Sequence, residues 1–98
     1  MQSYISRQPN GLYCRFSTVV DCPTHYNMTR EDYIQVIMDR GYNRGFAEEE
    51  ADYIINNDLQ PFEKVIQDYT PLNMTKNSFI KILKEMCTDV NSAKFQTT

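Results

Sequence analysis

Residues 27–34 read NMTREDYI, and residues 73–80 read NMTKNSFI. Most of the shared letters have a local mechanical reading. A threonine just ahead of an apolar-periodic run is a helix N-cap, its hydroxyl accepting from backbone N–H groups of the first turn. Thr29 and Thr75 take that place. Asp32 stands three residues after Thr29, close to a capping box, and Ser78 stands at the matching position after Thr75. Met28 with Tyr33, and Met74 with Phe79, fall where an apolar pair staples the entering chain to its helix. The repeat therefore predicts two helix entries, with a true duplication or a shared recognition surface as the alternatives. The N-x-T matches at Asn27 and Asn73 would be glycosylation signals only in a secreted chain. The opening MQSYISRQPNG has neither the charged nor the apolar region of a secretory leader, so a cytoplasmic address is expected.

Working outward, the first helix is expected from Arg30 to about Arg40, with Tyr33, Ile34, Ile37 and Met38 on its buried stripe and Gly41 ending it. After the loop GYNRG, FAEEEADYIINN places Ala47, Ala51, Ile54 and Ile55 on one face of a second helix. Pro61 opens a short third, PFEKVIQDY, burying Phe62, Val65, Ile66 and Tyr69. A last helix, Lys76 to about Val90, turns Phe79, Ile82, Leu83, Met86 and Val90 inward. Upstream, SYISRQ and LYCRFSTVV flank PNG, a hairpin signal in which Asn10 and Gly11 take the central positions of a type I′ turn. That register pairs Ile5 with Phe16 and puts Ile5, Leu12, Cys14 and Phe16 on a core face, continued by Thr18 and Val20. Tyr4, Ser6, Gln8, Tyr13, Arg15 and Ser17 then face water, and DCPTHY is a linker. The expectation is an α+β fold, ββαααα: one domain over 1–98, with a hairpin at 1–21 packed on a helical part at 29–90, and a frayed tail at 91–98.

A chain of 98 residues that is 41% apolar is globular in composition, and no apolar run approaches the roughly 18 residues of a membrane span. Its net charge of −3 is unevenly spread. Residues 31–68 carry ten acids against Arg40, Arg44 and Lys64, whereas both ends are mildly basic. Three cysteines cannot all pair, which favours reduced thiols. Cys14, Cys22, His25 and Cys87 offer a Cys₃His ligand set, but the second half of a paired-ligand spacing is missing, so buried thiols and no metal are expected. With a single histidine, no Gly-rich phosphate loop and no metalloprotease motif, the chain is not expected to be an enzyme or to hold a cofactor.

Two surfaces remain for function. Glu48, Glu49 and Asp52 project from the outer side of the second helix, an acidic face suited to a basic nucleic-acid groove on a host protein. The polar hairpin residues Tyr4, Arg7, Tyr13 and Arg15 mix rings with cationic donors, as a small DNA-binding accessory module would. NGLYCRFS resembles the β-strand of the arm-type DNA-binding domains of tyrosine recombinases, and MDRGYNRGFAEEEADYII resembles the helix–loop–helix opening of ubiquitin-associated domains. More broadly, YISRQPNGLYCRFSTVVDCPT followed by YNMTREDYI resembles the opening of small uncharacterised proteins carried by phages and mobile elements of Gram-positive bacteria. That resemblance implies a non-catalytic inhibitor of host defence, anti-CRISPR-like; the charge pattern makes the acidic helix its expected contact surface. A homo-oligomeric structural protein is the third class, and no membrane partner is expected.

Overall fold

The computed structural model describes residues 2–98; Met1, the first residue of the expected hairpin segment, lies outside the described residues. In chain order the elements are strands β1 (Ser3–Arg7), β2 (Tyr13–Ser17) and β3 (Cys22–Met28), helices α1 (Arg30–Met38), α2 (Arg44–Asn57), α3 (Phe62–Asp68) and α4 (Lys76–Met86), and strand β4 (Gln96–Thr97). The fold is α+β, with one antiparallel sheet in the order β1-β2-β3-β4. Two expectations are corrected: DCPTHY is not a linker but the start of a central strand, and the tail is not frayed at its end. Gln96 pairs with Tyr26 and Thr97 with His25, and the Thr98 amide donates to the Thr24 carbonyl at 2.9 Å.

The first hairpin sits one residue away from the expected register. Ile5 faces Arg15 and Tyr4 faces Phe16. A two-residue turn at Asn10-Gly11 would require a backbone N–H from residue 9, and Pro9 has none. The loop is instead Pro9-Asn10-Gly11, closed by the Gly11 amide on the Gln8 carbonyl (3.0 Å) and the Gln8 amide on the Leu12 carbonyl (2.7 Å). Only Gly11 in this loop has positive φ, at 89°. Because side chains alternate along a strand, the one-residue shift sends Ile5 to the face opposite Phe16 and Cys14. Both faces are therefore covered. On one, Ile5, Tyr13 and Met28 pack against Tyr33, Ile34 and Ile37 of α1 and Ala47, Ala51 and Ile54 of α2. On the other, Tyr4, Cys14, Phe16 and Tyr26 pack against Val65 of α3 and Phe79, Ile82 and Met86 of α4. The expected wet face does not exist as such: Ser6, Gln8 and Ser17 are buried, and Thr18 is exposed.

β3 is accommodated by two bulges against β2, between the pairs Tyr13↔Met28 and Arg15↔His25 and between Arg15↔His25 and Phe16↔Pro23. Within the first bulge Asn27 takes a left-handed conformation, φ 56°. Its Oδ1 accepts from Gln8 Nε2 (2.7 Å) and Asn10 Nδ2 (3.1 Å), and its backbone amide donates to Gln8 Oε1 (2.7 Å). Asn10 Nδ2 also reaches the Thr88 carbonyl (2.9 Å), and Asn27 Nδ2 the Glu85 carbonyl (3.3 Å). The first hairpin loop, β3 and the end of α4 are thus tied by one amide network. It leaves no described buried side-chain N or O without a partner.

The two repeated phrases are helix entries. Thr29 and Asp32 form a complete capping box, Asp32 N–H on Thr29 Oγ1 at 3.1 Å and Thr29 N–H on Asp32 Oδ2 at 3.0 Å. Thr75 caps α4 by accepting from the Ser78 amide at 3.2 Å. The phrases diverge in what their asparagines do: Asn27 is buried in the amide network, whereas Asn73 is exposed and donates to the Val20 carbonyl. α2 starts earlier than expected because Asn43 caps it, accepting from the Phe46 amide at 2.8 Å. α4 ends earlier, at Met86, so Val90 is exposed, as is Ile66 on the outer side of α3. Gln60 pairs beside Ser6 and covers part of the β1 edge, its amide donating to the Ile5 carbonyl at 2.9 Å. Among the described residues no helix is long and apolar enough to cross a membrane.

Replacing Asn27 tests the network and the backbone together. Asn27→Ala removes the Oδ1 acceptor that Gln8 Nε2 and Asn10 Nδ2 share, leaving Gln8 Nε2 with Asn10 Oδ1 alone, and adds left-handed strain; it should cost about 3 kcal/mol. Asn27→Gly loses the same hydrogen bonds without the strain and should be about 1 kcal/mol less damaging in urea denaturation.

Candidate functional site

α1 and α2 lie side by side with an ion-pair lattice on their outer surface. Arg30 grips Asp52 through two bonds, Nε–Oδ1 at 2.7 Å and Nη2–Oδ2 at 3.0 Å. Arg44 reaches both Glu31 (2.6 Å) and Glu48 (2.8 Å), the latter one helical turn along its own helix. Hydrogen bonding from Arg30 draws the Asp52 carboxyl below its ordinary range. Of the three acids expected to make the acidic face, Glu48 and Asp52 are therefore occupied within the chain. Only Glu49 has no ion-pair partner among the described residues. Exposed pairs of this kind contribute little to stability, so the lattice mainly fixes where charge is displayed.

Beside Glu49 stands a group that sequence reasoning passed over. Tyr42 and Phe46 stack with ring centroids 4.6 Å apart and remain 50% and 42% exposed, and Tyr53 is 60% exposed. Phe46, Glu49, Glu50 and Tyr53 recur at helical spacing and form a stripe on the side of α2 away from Ala47, Ala51 and Ile54. The signal was present in the sequence: two aromatics seven residues apart, off the buried stripe.

The hairpin candidates do not share one surface. Tyr4 lies under α3, stacked on Phe16 at 5.2 Å, its hydroxyl donating to Asp68 (3.2 Å) and its ring faced by Lys64. Arg7 and Tyr13 lie on the other face, where Arg7 donates to the Tyr13 hydroxyl at 2.9 Å and covers its ring. Arg15 lies on that same face, half-buried, and donates to Thr24 Oγ1 at 2.9 Å. Two-sided burial of the sheet, not a change of element, separates Tyr4 from the other three.

Cys14 and His25 likewise sit on opposite faces. Cys14 is fully buried and burial pushes its thiol up to about 12; Cys22 is also buried. Cys87, expected among the buried thiols, is exposed at the C-cap of α4, rotated off the apolar stripe. Among the described residues no cluster of His, Cys, Asp or Glu is gathered to hold a metal ion. His25 pairs across the sheet with Arg15, contacts Thr24 Oγ1 through Nδ1 (2.9 Å) and carries Phe95 stacked at 6.2 Å. No protein-family model matches the chain, and no curated protein or solved structure shows a significant similarity to it.

Burial, then the nearby Arg15 and Arg40, hold the His25 imidazole below its ordinary value, against a smaller opposing effect of Asp39. The unfolded chain takes up this proton near pH 6.5 while the folded chain resists it. The resulting stability is present above about pH 6.5 and is lost as pH falls through the lower folded value. Urea denaturation at about pH 7.5 and pH 5.5 should show a loss at the lower pH that is smaller in His25→Gln.

Proposed function

We propose that this chain is a non-catalytic interaction protein of a phage or mobile element that binds, and thereby inhibits, a nucleic-acid-handling protein of its host. The contact surface is the outer side of α2. The observation that carries this reading is the exposed aromatic group Tyr42, Phe46 and Tyr53 beside Glu49, the one acid of the expected face without an internal partner. Half-exposed tyrosine and phenylalanine are the residue types that anchor interfaces, because they bury large area with few rotamers to freeze. The acids around them set sign and steering: residues 31–68 hold ten acids against three basic residues, a distribution suited to a basic groove. Glu48 and Asp52 take part as a fixed negative rim, held by Arg44 and Arg30. The host setting rests on the resemblance of the first third of the chain to small proteins of Gram-positive mobile elements, and with it goes a cytoplasmic address.

The test is capture from a Gram-positive host lysate on the immobilised chain, with mass spectrometry of what is retained. The native chain should hold a nucleic-acid-binding protein that added heparin displaces. A Glu49→Lys/Tyr53→Ala chain, altered only at exposed positions, should lose it by at least tenfold. Equal retention by both chains would rule out the α2 surface.

A further inference from the structure

A cleft of about 190 Å³ opens between β1 and β2 on one side and α1 and α2 on the other. Its walls are apolar, with Ile37 and Ile54 inside and the stacked Tyr42–Phe46 pair at the border, but two guanidiniums face it, Arg15 from β2 and Arg40 from just after α1. Neither has a carboxylate within ion-pair distance among the described residues, whereas Arg30, Arg44 and Lys64 each have one. Arg15 is half-buried and its one hydrogen bond is to a neutral hydroxyl, on Thr24. A cation taken partly out of water with no carboxylate in ion-pair contact carries a desolvation cost that is not fully met. Burial and the proximity of Arg40 both weaken the hold of Arg15 on its proton, the direction expected of two like charges sharing a cleft. The Tyr33 side chain also lines the cleft, and its hydroxyl has no hydrogen-bond partner among the described residues although it is not a buried orphan. It is a donor open to a ligand.

We infer that this cleft is a binding site for a small organic anion, a carboxylate or phosphate monoester borne on a single flat apolar ring, held by Arg15, Arg40 and Tyr33. The anionic group supplies the ion-pair partner that neither arginine has among the described residues, and the two guanidiniums offer forked donors matched to either head group. The ring lies along Ile37 and Ile54 toward the Tyr42–Phe46 pair. Glu50 and Asp58 also line the cleft, from the α2 side. Beyond ion-pair reach of the arginines, they disfavour further anionic groups past a single head group, and so polyphosphates and nucleic acid. The volume is below the roughly 300–1,000 Å³ of clefts that take drug-sized molecules, which confines the occupant to about one ring and its head group. The inference does not rest on the partner-binding reading of α2, although the Tyr42–Phe46 pair borders both surfaces.

Calorimetric titration of the full chain with benzoate, phenyl phosphate and neutral benzyl alcohol, at one ionic strength, tests it. At least one of the two anions should bind saturably at one site and at least tenfold more tightly than benzyl alcohol; the tighter of the two assigns the head group. Arg40→Gln, an exposed change, should weaken that anion several-fold, and Arg15→Gln/Arg40→Gln at least tenfold. Arg7→Gln, outside the cleft, should leave it unchanged. Benzyl alcohol binding as tightly as the anions, absence of saturable binding by either anion, or undiminished affinity in Arg40→Gln would each overturn the assignment.

Discussion

Burial of both faces of one small antiparallel sheet is the constraint on which the rest of this structure depends. Antiparallel sheets usually leave one face to water, and their strands then alternate between apolar and polar residues. Here β1 and β2 place Ile5 on one side and Tyr4, Cys14 and Phe16 on the other, and each side receives its own helix pair. The arrangement holds only at one register, because a shift of a single residue would carry the whole apolar set of a strand to the other side. Pro9 excludes the shorter turn, and the Gln8–Asn10–Asn27 network locks the longer one to β3 and to the end of α4. Polar groups buried this way specify as much as they stabilise, since every misalignment would leave some of them unpaired.

The same geometry decides what is available for function. Packing α1 beside α2 brings Arg30 and Arg44 against Asp52, Glu31 and Glu48, so three of the ten acids in the middle of the chain are answered locally. What stays open is narrower and chemically richer than a plain acidic stripe: aromatic rings at half exposure with the unpaired acids Glu49 and Glu50 among them. On the inner side of the same helix pair, the arginine of β2 meets the arginine following α1 across an apolar cleft. Two surfaces of opposite charge preference thus adjoin along one helix, with the Tyr42–Phe46 pair between them.

Features governed by a few adjacent residues were legible in the sequence. The threonine caps, the shared clusters of Met28 with Tyr33 and of Met74 with Phe79, the glycine just after α1 and the stripes of α1, α2 and most of α4 all follow from local spacing. β3 was hidden because it carries Pro23, which cannot donate to a ladder, and Asn27 in a left-handed conformation; both are ordinary signs of a turn, and both are absorbed here by bulges. β4 was hidden because its two residues gain their order only from an edge that β3 supplies. Ile66 and Val90 were read as core on period alone, yet the sheet face is already filled by Phe16, Val65 and Met86. The cleft was not legible at all: Arg15 and Arg40 are 25 positions apart and converge only through the fold.

The two-sided sheet is tested most directly by nuclear Overhauser contacts from two side chains that the competing registers place differently. Contacts from the Ile5 methyls to Ile34, Ile37 and Ile54, with contacts from the Phe16 ring to Tyr4, Val65 and Met86, are the expected pattern. Direct Ile5–Phe16 contacts, with the Tyr4 ring free in solvent, would contradict it.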